Sequence, residues 1–501
     1  MPIPVIDVFA GPGGLNEGFS HVLDGEGNQV FKTVTSIEMD PKACDTLKLR
    51  AAVRTLRGGS PELPSAYAAL LRNLGPNGHV TDFEEASSYF SRPEERAALA
   101  DVEREVRDFT LGKNARKGAE EIIAAALPAA ARSGDEPWVL IGGPPCQAYS
   151  LAGRSRRRND ATFADDHKHV LYQEYLHIIR EFRPTVFVME NVKGMLSSSH
   201  AGSLIFDQIM RDLQTPLRGL EYEVRSLVVP RAFPDAKPSD FVIRAEHYGV
   251  PQKRHRVILL GVLRSAGLPP AGTLTASIHP VTVWDAIGGL PKVTSSLSAR
   301  SLGPNEQRWT DARDRGHSAV EPREDAEKAL ASVDELLNHG EASPAAERLQ
   351  QWLLDSKGAV TLHDPRSHMM LDIERYAFLS LSALMGRGSL KVGDLRGKLK
   401  PAHRNVDLPN TPFTDRFRVQ LPDDSSTTVV SHIAKDGHYY IHPDPMQARS
   451  LTVREAARLQ TFPDSYLFIG GRTQQYHQVG NAVPPLLAAQ IGEVVADLLE
   501  P

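Results

Sequence analysis

A chain of 501 residues is too long for one ordinary domain and predicts two or three. With 41% hydrophobic and 24% charged residues it has the composition of a soluble globular protein, and no run of about 18 apolar residues offers a membrane span. A net charge of −5 does not advertise a nucleic-acid binder, and two cysteines, Cys44 and Cys146, exclude a disulfide framework. One bridge between them stays open; two free thiols in a reducing cytoplasm is the simpler reading.

The N-terminal stretch MPIPVIDVFAGPGG lacks the basic and long apolar regions of a secretory signal. IPVIDVF (3–9) is a predicted strand, followed by glycines and a helix from about Leu15. VFKTVTSIE (30–38) is a second strand, and PKACDTLKLRA (41–51) a helix opening on proline. Charged, alanine-rich, helix-like sequence over 53–135 then interrupts the pattern and reads as an insertion. VLIGG (139–143), the helix-like 170–182 and TVFVMEN (185–191) resume it, and a helix over 203–213, YEVRSLVV (222–229) and RVILLGVL (256–263) continue it. Such alternation predicts an α/β fold with a mostly parallel, doubly wound sheet. From 265 the alternation fades, and strong local signals return near 446. The expected organisation is a first domain over 1–264 with the insertion at 53–135, an irregular second domain over 265–445, and a closing segment over 446–501.

Four polar signals follow predicted strands: the glycines at 11, 13 and 14, Glu38, the turn Gly142-Gly143-Pro144-Pro145-Cys146, and Glu190-Asn191. Ligands of open parallel sheets bind outside the carboxyl ends of strands. The glycine spacing is not G-x-G-x-x-G, so no pyrophosphate is required; with Glu38 as a hydroxyl acceptor the pair suits a nucleoside, or else a tight turn and a surface acid. Cys146 reads as a buried small residue, a disulfide partner or a nucleophile presented by a stiff turn. A metal ligand is disfavoured, because no Cys or His lies near it at zinc-like spacing. Glu190 is a protonated buried acid or a salt-bridge partner. Arg254 and Arg256, two apart in QKRHR, share one face of an extended chain and suit an anion, or else mark a solvated strand entry.

Two basic clusters stand out against the acidic average. RSRRR (154–158) carries Arg154, Arg156, Arg157 and a fourth arginine, and 387–404 carries six Lys or Arg, Lys398 and Lys400 among them, against one Asp. Both are candidate phosphate contacts or plain solvated surface.

Six signatures occur in a fixed order: D-x-F-A-G-x-G-G at 7–14, G-G-P-P-C-Q at 142–147, E-N-V at 190–192, Q-x-R-x-R at 252–256, R-x-x-T-x-R-E-x-A-R-L-Q-x-F-P at 449–463 and G-N-A-V-P-P at 480–485. Together they resemble the DNA (cytosine-5) methyltransferase family. The resemblance implies a Rossmann-like domain using S-adenosylmethionine and no metal. It implies Cys146 as the nucleophile on cytosine C6, Glu190 on the ring nitrogen N3, Arg256 and its companion Arg254 holding the base, and a base flipped out of the duplex. It places Phe9, Gly11, Gly13, Glu38, Pro144 and Asn481 at the cofactor, makes 154–158 part of a closing loop, and makes 265–445 the target-recognition region. The family's adenine-binding acid after the third strand is hidden by the insertion, with Asp82 as the candidate. The implied partners are double-stranded DNA, engaged as a monomer, and a restriction endonuclease of the same site. The competing readings are a transfer-RNA cytosine methyltransferase, an inactive DNA-binding relative and a nicotinamide enzyme, the last disfavoured by the absent G-x-G-x-x-G.

Overall fold

The structure, a computed structural model, describes residues 1–145, 171–197, 199–200, 203–298, 306–338, 342–355, 359–402 and 415–500. Its main sheet is built from β1 (Ile3–Val8), β2 (Phe31–Glu38), β3 (Val106–Asp108), β4 (Val139–Gly142), β5 (Val186–Val192), β6 (Tyr222–Arg225) and β7 (Val242–Arg244). Past the short β8 (Gln252–Lys253) comes the long β9 (His255–Leu263), and much later β10 (Ser426–Thr427) pairs with β8. The order is β3-β2-β1-β4-β5-β9-β6, with β7 also on β9. The first five strands are parallel, and β9 runs against them. Helices cover both faces, as the alternation predicts. Val5, Val139 and Val188 point into one core, and Ile6, Leu140 and Phe187 into the other. The strands are therefore apolar throughout rather than alternating.

The helices that matter for the site are α1 (Gly14–Ser20), α2 (Pro41–Arg57), α3 (Ser65–Leu74), α4 (Pro93–Glu105), α5 (Arg116–Ala126), α6 (Leu171–Phe182), α7 (Ile205–Gln214), α8 (Glu306–Ser318), α9 (Pro344–Leu353), α10 (Met370–Ser382), α11 (Val453–Leu459), α12 (Arg472–Asn481) and α13 (Pro485–Leu499). The apolar α13 is buried against α1. The approach is close because α1 carries glycines. A Cβ at Gly18 would lie 2.4 Å from Ala488 Cβ, and one at Gly14 would lie 2.2 Å from the Val483 carbonyl oxygen. The closing segment thus folds back onto the first βα unit.

Two expected boundaries differ from the packing. First, 53–135 is too wide for an insertion. β3, with α4 before it and α5 after it, completes the sheet edge through Ser36–Val106 and Glu38–Asp108 pairing. Only three residues long, it has no readable period, and tertiary pairing alone defines it. Second, 265–445 is not a separate core. Tyr67 and Leu70 of α3, Ile287, Leu349 of α9, Val429, Phe462 and Tyr476 lie in one cluster. The region also has a core of its own, with Trp309 of α8, Tyr376 of α10, Leu399, Phe417 and Ile441.

The signature at 449–463 is the lattice that holds these layers. Arg449 donates to both Glu455 oxygens at 2.7 and 2.6 Å, and Glu455 with Thr452 caps α11. Arg458 donates to both Asp464 oxygens and to the carbonyl of Ala286. Arg454 reaches the carbonyls of Thr361, Pro463 and Tyr466. All three guanidiniums are buried, so each must be fully engaged to be tolerated.

Candidate active site

The cavity at the carboxyl ends of β1, β4 and β5 is lined by Asp7, Phe9, Gly11, Gly143, Glu190 and Asn481, among others. The glycine turn forms its floor. Phe9, Gly11 and Gly13 have φ of 55°, 55° and 89°. The left-handed geometry is free for the two glycines and strained for Phe9, which is the kind of residue a functional turn retains. Glu38 locks the turn from the neighbouring strand. Its Oε2 accepts from the Gly11 N–H at 2.7 Å, and its Oε1 accepts from the N–H groups of Met39 and Asp40 at 2.9 Å each.

Asp108 stands beside Glu38 at the end of β3, where the Phe109 N–H donates to the Glu38 carbonyl at 2.8 Å. This is an acid after the third strand, which the sequence reading missed. Asp82 is not that group. Its carboxylate accepts from the Glu85 N–H at 2.9 Å and caps the short helix Phe83–Ser87.

Asp7 belongs to the first signature. It is completely buried on β1, and neither carboxyl oxygen has a hydrogen-bond partner among the described residues. Burial first, then the charge of Glu38, pushes its pKa well above the ordinary value.

At the other end of the cavity the two glycines after β4 have separate steric reasons. A Cβ at Gly142 would lie 2.4 Å from the Val8 carbonyl oxygen, and one at Gly143 would lie 2.9 Å from Glu190 Oε2. Glycine at 143 is what leaves room for the acid. Asn191 Nδ2 donates to the carbonyl of buried Pro144 at 3.4 Å. Pro145 is the last described residue of this turn; Cys146, Arg154, Arg156 and Arg157 lie outside the described residues. The other cysteine, Cys44, is buried in α2, with its thiol pushed up to about 12 by burial and by Asp108.

Glu190 has a partner rather than standing alone. Its Oε1 lies 2.7 Å from Arg256 Nε, and both side chains are mostly buried. Arg254 does not share that face. Its N–H donates to the Gln252 carbonyl at 2.8 Å, which breaks the extended chain between β8 and β9 and turns the side chain inward. The guanidinium is buried, donating to the carbonyls of Val429 at 2.8 Å and Gly480 at 3.2 Å. Asn481 ends α12 with its side chain exposed at the cavity.

Lys398 is ion-paired to Glu374 at 2.9 Å, and neither it nor Lys400 lines the cavity. Among the described residues, no three His, Cys, Asp or Glu side chains are placed to hold a metal ion.

The C-5 cytosine-specific DNA methylase family matches residues 131–497. The chain is 34% identical over 512 residues to the type II methyltransferase M.Bpa9945I of Bacillus paralicheniformis, with 99% of each covered. It is 29% identical over 392 residues to M.AgeI of Thalassovita gelatinovora, covering 71% of this chain and 82% of that one. Among solved structures, a protein described as a DNA modification methyltransferase of an E. coli prophage has the same fold. Its TM-score is 0.52 at 19% identity, with 99% of both chains covered.

Proposed function

Because the chain belongs to the C-5 cytosine-specific DNA methylase family, we propose that it moves the methyl group of S-adenosylmethionine to C5 of cytosine at one duplex DNA sequence. It would do so as the modification enzyme of a type II restriction–modification pair in the cytoplasm. The observation that carries this reading is the Glu190–Arg256 ion pair, set at the strand end beside the glycine–proline turn that leads into Cys146.

The cavity's residues suit that cofactor. Asp7, a buried carboxyl without a hydrogen-bond partner among the described residues, calls for a polar or cationic ligand group. Gly11 and Gly13 let the backbone approach it, while Glu38 and Asp108 offer neighbouring carboxylates to the ribose and the adenine. Asn481 closes the opposite wall. S-Adenosylmethionine, when bound, supplies a methyl group made electrophilic by the adjacent sulfonium.

The chain's own groups would do the rest. The target cytosine must leave the duplex stack to reach a cavity at the carboxyl ends of the strands. The Cys146 thiolate forms a bond to C6, and the C5–C6 π electrons move into the ring. Glu190, taking up a proton from solvent, shares it with N3 as that charge develops, and C5 becomes enamine-like. Arg256 holds the Glu190 carboxyl in place as its ion-pair partner. C5 takes the methyl group, the cofactor leaving as the neutral thioether with the carbon–sulfur electron pair, then loses its proton to a base while N3 gives its proton back to Glu190. The C6–S bond breaks and restores the ring, with the electrons returning to sulfur.

The test is methyl transfer from labelled cofactor to duplex DNA and to transfer RNA, with bisulfite sequencing of DNA from expressing cells. Label in DNA, with 5-methylcytosine at one recurring sequence and none transferred by Cys146→Ser, is the expected result. Label in transfer RNA alone, or in neither, overturns the reading.

A further inference from the structure

The sequence puts Arg254 at the base, beside Arg256. Its guanidinium lies elsewhere, in a buried junction among three segments far apart in the chain. Nη2 donates to the Gly480 carbonyl and Nη1 to the Val429 carbonyl. Gln252, two residues earlier, accepts from the Val429 N–H at 2.8 Å and donates to Gln460 Oε1 and to the Leu459 carbonyl. Gln460 in turn donates to the Ala482 carbonyl at 2.6 Å. Gln252, Arg254 and Gln460 are at most 2% exposed.

These bonds converge on Asn481. The carbonyls of the residues on either side of it, Gly480 and Ala482, are both held, one by Arg254 and the other by Gln460. Behind the turn there is no slack, since a Cβ at Gly480 would lie 2.3 Å from the Ser431 nitrogen. Asn481 itself reaches the cavity from this anchored backbone. The other end of the junction is Val429, at the end of the recognition region, where β10 pairs with β8.

We propose that Arg254, with Gln252 and Gln460, is a positioning residue for the cofactor wall. It sets the 480–482 turn that presents Asn481 and ties that turn to the last stretch of the recognition region. The inference rests on the reading of the cavity as an S-adenosylmethionine site. Loss of the junction loosens the wall and weakens cofactor binding, while the base-side pair Glu190–Arg256 keeps its geometry. A buried guanidinium that bridges two carbonyls has no substitute in water once removed, so the effect is read in affinity.

The experiment uses the full chain and S-adenosylhomocysteine in a calorimetric titration, with steady-state kinetics alongside. Arg254→Lys and Gln460→Met should each raise the dissociation constant about tenfold or more. Each should raise KM for S-adenosylmethionine and leave kcat at saturating cofactor within about threefold of wild type. Arg256→Lys should do the reverse, lowering kcat with the affinity unchanged. Where Arg254→Lys does not fold, Gln460→Met decides by the same criterion, because it breaks the same junction without altering the buried cation. An unchanged affinity with a collapsed kcat in either folded variant overturns the proposal and returns Arg254 to the base. A wild-type chain that fails to bind S-adenosylhomocysteine overturns the cofactor reading itself.

Discussion

Glu190 and Arg256 face each other across the antiparallel pair of β5 and β9, with Oε1 and Nε 2.7 Å apart, at the point where five parallel strands end. The register sets Arg256 opposite Val192 and Glu190 opposite Ile258. The guanidinium therefore reaches diagonally along the sheet to the carboxyl.

The first prediction concerns the proton. Glu190→Gln keeps the volume and a hydrogen-bond donor but cannot deliver a proton to the ring. Methyl transfer should fall by about 10²-fold or more, in the range of general acid–base effects. S-Adenosylhomocysteine affinity should stay within about twofold. Activity near wild type would show that the carboxyl only holds Arg256.

Gly143 is a steric test of the same group. Alanine there adds a Cβ 2.9 Å from Glu190 Oε2, on the carboxyl whose Oε1 lies 2.7 Å from Arg256 Nε. The carboxyl must swing aside. Gly143→Ala should lose about tenfold or more in kcat, while its melting temperature moves by only a few degrees. A melting loss that parallels the activity loss would make the glycine a packing residue only.

Asp7 predicts a pH dependence. Its folded pKa is raised by burial, then by Glu38 and Glu105, against the opposing Arg54, above an ordinary value of 3.8. The folded chain holds a proton that the unfolded chain releases. Stability from this group is thus lost as pH climbs from about 4 towards the folded value, by up to about 1.4 kcal/mol per pH unit. Asp7→Asn removes the titration. It should melt above wild type at pH 8, and the gap should close as pH approaches 4. Calorimetry across that range reads it, and a constant gap would mean that Asp7 is ionised in the folded chain.

The shared core limits how specificity can be exchanged. Replacing 265–445 whole with a relative's segment would also replace Ile287, Leu349 and Val429, which pack against the first domain and the closing segment. That hybrid should fold poorly. A narrower exchange over 370–424 keeps those contacts and moves most of the region's own core, including Tyr376, Leu399 and Phe417. It should fold and mark the donor's sites in a methylome. A folded, active narrow hybrid that still marks the original sites would place base reading outside 370–424.

The strand–helix alternation, the glycine turn, Glu38 and the G-G-P-P turn were legible in the amino-acid order. Each is written locally, as an apolar run ending in a polar residue of fixed type, and the physics of a buried parallel strand leaves few other readings. β3 and Asp108 were not legible, because a three-residue strand carries no period and exists only through its pairing with β2. Arg254 illustrates the same divide. Its spacing from Arg256 suggests a shared face, yet one turn-forming N–H bond to Gln252 and two carbonyls 175 and 226 residues away decide where its charge goes. Asp7 stands in a signature, but only the packed structure leaves its carboxyl buried without a partner among the described residues. The sequence by itself determined which chemistry the strand ends carry, because local order sets residue type and turn. Which buried charges meet, and which segments share a core, was decided by tertiary structure, because those energies arise between residues that the chain keeps far apart.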